Sequence, residues 1–138
     1  MRAGISIVLL CCLLLAAHAP VQAATEAPDC FIDQGPCTKT ATGRQVAFEI
    51  LPRPVKAMKE LTFAVRAIGR NTAPTVLLDL SMPGMYMGRN EVILKKTPDG
   101  SYSGKGIIPR CPSGKKLWRA EVTIPGAGKV SYTFNVNP

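Results

Sequence analysis

Three methionines stand within six residues in the segment Met82-Pro83-Gly84-Met85-Tyr86-Met87-Gly88. Thioethers are soft ligands, and with thiolates they select Cu(I) over harder divalent ions. Pro83-Gly84 bends the segment, and Gly84 turns the backbone without steric cost. Met82, Met85 and Met87 can then converge as a three-sulfur set, with Met58 or Cys111 as a fourth donor. A plainer reading stands beside this one. Methionine is a flexible apolar filler, so the same loop can simply cover the open end of a core or make adaptable protein contacts.

The loops around these sulfurs are basic. Segments 52–60, 81–90 and 109–116 carry Arg53, Lys56, Lys59, Arg89, Arg110, Lys115 and Lys116 against Glu60. Such a rim disfavours a free metal cation. Either a thiolate at Cys111 offsets part of the charge, or the end is a metal-free interaction surface whose basic, Met-lined rim docks a membrane or periplasmic acidic protein partner or an anionic lipid head group. Arg89, Arg110, Lys115 and Lys116 are the docking candidates. Scattered Lys and Arg also serve as a plain solvated surface.

Composition narrows the chemistry further. Of 138 residues, 46% are hydrophobic and 19% charged, with a net charge of +8, which excludes wholesale disorder. The length suits one domain. The single histidine, His18, falls in a segment expected to be removed. Without it the chain lacks the usual neutral-pH acid/base and the Ser-His nucleophile. Asp79 and Glu91 fall in strand patterns, and nothing in the sequence pairs them as a dyad, so an enzyme is not expected. An exported chain with 6% aromatic residues is also a poor fit to nucleic acid.

Export is read from residues 1–23. Arg2 supplies the positive start, 5–17 is an apolar run too short for a comfortable membrane span, and Pro20 breaks it. Val21-Gln22-Ala23 then offers a signal-peptidase site, which implies a periplasmic or secreted protein with no transmembrane segment in the mature chain. Leu10 stands before Cys11 where a lipoprotein needs a small residue, so a cleaved signal is expected rather than a lipid anchor. Cys30, Cys37 and Cys111 remain in the mature chain. In an oxidising compartment two of them pair, in any of three ways, and one thiol is left over.

The elements that position these residues are strands. Val130, Tyr132, Phe134 and Val136 alternate with Ser131, Thr133, Asn135 and Asn137; Trp118, Ala120, Val122 and Ile124 alternate with Arg119, Glu121 and Thr123. Period two with one apolar face marks antiparallel strands packed on one side. Strands are expected at 46–51, 61–66, 75–80, 91–96, 101–108, 118–124 and 130–136, separated by Pro/Gly turns, with a helical turn as the only helix candidate around 56–60. Residues 24–45 read as an irregular, cysteine-pinned arm, and 46–138 as a seven-stranded immunoglobulin-like β-sandwich. If successive strands reverse direction, the loops after the first, third and fifth share one end. That end collects Met58, Met82, Met85, Met87 and Cys111, while the arm enters opposite. Trp118 is expected to be buried near Val122 and Phe134.

The stretch from Asp79 through Met82-Pro83-Gly84-Met85 to Gly88, followed by Tyr102-Ser103-Gly104 and Trp118-Arg119-Ala120-Glu121-Val122, resembles the YtkA-like/FixH-like family. These are small exported or membrane-tethered bacterial domains with an immunoglobulin-like sandwich. The resemblance spans about 46–136 and implies a link to copper supply for oxidase assembly. Related sequences often carry His among the loop methionines. Here Tyr86 and Met87 stand in that stretch, which implies a Cu(I)-type site instead of a Cu(II) one.

Overall fold

The computed structural model describes residues 26–67 and 73–138; the expected signal segment 1–23 lies outside them. The described chain is all-β and antiparallel. Its strands are β1 (Cys37–Ala41), β2 (Arg44–Leu51), β3 (Glu60–Ala67), β4 (Thr75–Ser81), β5 (Glu91–Lys96), β6 (Tyr102–Ile107), β7 (Leu117–Ile124) and β8 (Gly128–Asn135). They form one nearly closed sheet in the order β1-β2-β3-β6-β5-β4-β7-β8. Among the described residues no helix is long and apolar enough to cross a membrane.

Alternation builds the interior. Phe48 and Ile50 of β2, Phe63 and Val65 of β3, Leu78 and Leu80 of β4, and Trp118, Ala120 and Val122 of β7 all point inward and are buried. Trp118 is 1% exposed and lies opposite Phe134 in the β7–β8 register, as its strand pattern predicts. Phe48 stacks on Tyr132 with ring centroids 5.1 Å apart, which ties the two ends of the strand order together across the core. Gly104 and Gly106 of β6 allow β5 to approach closely. A Cβ at Gly104 would lie 2.9 Å from the Ile93 carbonyl oxygen, and one at Gly106 would lie 2.8 Å from a Val92 methyl.

The described residues form eight strands where seven were expected, because part of the supposed irregular arm is β1. A hairpin at Thr42-Gly43 joins it to β2, so Cys37 sits opposite Phe48, near the end of β2. That extra reversal also corrects the position of the arm. It lies at the same end as the methionine loop, not the opposite one. Residues 26–30 then run along β8, where the Asp29 and Cys30 amides both donate to the Thr133 carbonyl at 2.9 Å. Thr133, on the polar side of its strand, is consequently 4% exposed. Segment 56–60 forms no helix. Lys56 instead bridges to Asn137, and the Ala57 amide donates to the Asn137 carbonyl at 2.8 Å.

Candidate sulfur site

Met82-Pro83-Gly84-Met85 is a tight turn. The Met85 amide donates to the Met82 carbonyl at 3.1 Å, and Gly84 has φ +72°, the left-handed value a type II turn requires at its third residue. A short antiparallel bridge between Met82 and Met85 follows from this geometry. Met82 turns into the core at 4% exposure, as apolar filler would. Met85 and Met87 are half-buried and pack against the same core. Tyr86 between them is 90% exposed.

The loop after β6 supplies the second sulfur element. The Gly114 amide donates to the Cys111 carbonyl at 3.0 Å, closing a turn that points the Cys111 side chain inward at 5% exposure. Its thiol meets two groups: Met85 Sδ at 3.5 Å, as an S–H donor, and Ser113 Oγ at 3.0 Å. The Ser113 hydroxyl holds the thiol's pKa below its ordinary value. Burial opposes this, while the Ser113 and Lys115 amides and the Lys115 charge support it. A thiol biased toward thiolate beside a thioether is a soft, electron-rich pair, suited to Cu(I).

Cys30 and Cys37 form a disulfide with Cα atoms 5.7 Å apart, and Cys111 is free. Of the three possible pairings the short one is realised, because β1 returns Cys37 beside the 26–36 segment. Met58 is not drawn into the sulfur group. Its side chain is 59% exposed, on a left-handed backbone (φ +61°) held by its amide's bond to the Ile108 carbonyl at 2.9 Å. Among the described residues no group of three or more His, Cys, Asp or Glu is arranged to hold a metal.

Two clefts flank the sulfurs. One of about 210 Å³ is lined by Ala57, Arg110, Cys111, Lys115, Trp118 and Val136, among others. The other, about 490 Å³, is lined by Met82, Pro83, Gly84, Lys115, Lys116 and Glu26, among others. Lys115 and Lys116 border both. The expected cations divide in two. Arg53 pairs with Glu49 at 2.5 Å and Arg89 with Glu91 at 2.8 Å. Lys56, Lys59, Arg110, Lys115 and Lys116 are exposed and have no ion pair among the described residues.

The sheet register also places three carboxylates in one row that the sequence did not disclose. Asp79 of β4 lies opposite Glu91 of β5 on one side and Glu121 of β7 on the other. Arg89 and Lys129 neutralise its two flanks, at 2.8 and 2.6 Å. Comparison with family models, with curated proteins and with solved structures finds no match to this chain.

Proposed function

We propose that the protein is an exported Cu(I)-handling module of the YtkA-like/FixH-like kind, with Cys111 and Met85 as the central donors and Met82 and Met87 beside them. The observation that carries this reading is the 3.5 Å contact between the Cys111 thiol and the Met85 thioether. Two soft donors from loops 26 residues apart meet there, and among the described residues no group of three or more His, Cys, Asp or Glu is arranged to hold a metal. On binding, Cys111 releases its proton to water and supplies one negative charge, while copper stays Cu(I). Ser113 and the Lys115 amide steady the thiolate. Met85 adds a neutral donor, and the type II turn keeps Met82 adjacent. The disulfide between Cys30 and Cys37, the fit of an oxidising compartment, supports the reading of residues 1–23 as an export signal.

The strand order supports an immunoglobulin-like assignment. With β1 set aside, β2-β3-β6-β5 and β4-β7-β8 follow the two-sheet order of constant-type domains. The family resemblance extends the role to supplying metal for oxidase assembly.

The test is anaerobic Cu(I) titration of the mature protein against a competing chelator. Wild type is expected to bind. Replacing Met82, Met85 and Met87 together by Leu removes the thioethers while conserving volume, so each swap costs less than about 1.5 kcal/mol and the fold survives. Copper binding is expected to be lost in that variant. No binding by wild type, or unchanged affinity in the Leu variant, overturns the copper reading.

A further inference from the structure

Resting on the copper reading, we infer that the sulfur end is also a docking surface for an acidic segment of a partner protein, the vehicle with which it exchanges Cu(I). The charge pattern carries this. Lys115 and Lys116 line both clefts, Arg110 lines the one over Cys111, and Lys56 and Lys59 stand on the loop between β2 and β3 at the same end; none of the five has an ion pair among the described residues. Two of the nearby carboxylates are neutralised: Glu26, on the wall of the larger cleft, is gripped by Arg119 at 2.5 Å, and Glu60 by Lys105 at 2.8 Å; Asp33 is held by the Val55 amide and the Asn137 side chain, which leaves one negative charge against the five unpaired cations. The remaining field repels a free metal cation and attracts a carboxylate-bearing carrier.

Shape and apolar content select the kind of carrier. The cleft over Cys111, about 210 Å³, is smaller than the usual small-molecule site, but unpaired cations continue outward from it along two loops, 52–60 and 109–116. That layout suits an extended acidic chain better than a compact ligand. Tyr86 and Met58, 90% and 59% exposed at the same end, supply the aromatic and adaptable apolar contacts that interfaces favour. The partner segment therefore carries acidic residues flanking a soft donor. Copper passes between sulfurs as Cu(I), with no electron transferred, and Cys111 gains or loses one proton to solvent.

The test uses two labelled synthetic peptides with the same methionine spacing, one flanked by Glu and one by Lys. Metal-free binding is read by fluorescence anisotropy at low salt, and Cu(I) transfer from each loaded peptide is read separately. The Glu peptide is expected to bind and to weaken as salt rises; the Lys peptide is not. Reversing Arg110, Lys115 and Lys116 to Glu is expected to slow association of the Glu peptide about tenfold or more. Because Lys115 also touches the Cys111 thiol, K56E/K59E serves as a second variant remote from the sulfur, with an effect of the same sign. Equal binding of the two peptides, or reversal variants that bind like wild type, overturns the docking surface. Glu-peptide binding without Cu(I) transfer overturns the copper reading and leaves the surface standing. Equal Cu(I) transfer from both peptides does the opposite.

Discussion

Two sulfur groups share one end of this sheet, and their surroundings differ in kind. Around Cys30–Cys37 the polar groups are matched. Asp33 accepts from the Val55 amide at 2.7 Å and from Asn137 Nδ2 at 3.1 Å, and Arg53 donates to the Ile32 carbonyl at 3.1 Å as well as to Glu49. Asp29 holds Lys39, which also donates to the Ser131 carbonyl at 2.6 Å and lies 5.2 Å over the Tyr132 ring. Around Cys111 the thiol is free, its neighbour is a thioether, and the cations lining its cleft lack carboxylate partners among the described residues. The first sulfur pair fastens the arm and β1 to the end of the sheet. In the second, Cys111 stays a free thiol. One fold thus holds a bonded cysteine pair and a free thiol in surroundings of opposite kind.

Breaking the first region is expected to have the larger effect on stability. The chain-entropy relation gives about 2.5 kcal/mol for a loop as short as that between Cys30 and Cys37. C30S/C37S should lower the denaturation midpoint accordingly, with β1 and the 26–36 segment losing amide-exchange protection first. Cys111→Ala should cost only about 1 kcal/mol, the worth of one small buried group, while removing Cu(I) binding. Equal destabilisation by the two changes would erase the distinction.

A smaller effect sharpens it. The Cys111 pKa lies below the ordinary thiol value, chiefly through Ser113. Thiolate stabilisation is therefore present above the unfolded thiol's pKa and is lost as pH falls through the lowered folded value. The alkylation rate of Cys111 should rise with pH at a midpoint below that of a free thiol, and Ser113→Ala should move the midpoint up. A midpoint at or above the free-thiol value, unmoved by Ser113→Ala, would place Cys111 among ordinary buried cysteines.

Much of this arrangement was legible in the sequence. The seven expected strands all occur: six carry large apolar residues at period two, and in β6 Gly104 and Gly106 stand at the same spacing between Tyr102 and Ile108. Strand parity also brought the loops of Met85 and Cys111 to one end, where their sulfurs touch. β1 escaped notice for a physical reason: in Cys37-Thr38-Lys39-Thr40-Ala41 only Ala41 is buried, so it carries no hydrophobic period. Missing that strand reversed the placement of the arm and left the cysteine pairing open. The Asp79–Glu91–Glu121 row was invisible because it depends on register between strands distant in sequence. Thr133 read as solvent-facing because its cover comes from residues 26–30, which have no strand pattern of their own.

The most direct measurement is X-ray absorption at the copper edge on the Cu(I)-loaded protein with its Cys30–Cys37 disulfide intact. The central claim is that Cys111 and the loop methionines hold the metal. It predicts a first shell of sulfur alone, and a shell that changes when Cys111 is replaced by Ala. Copper ringed by nitrogen or oxygen, or a sulfur shell identical in the Cys111→Ala variant, would contradict it.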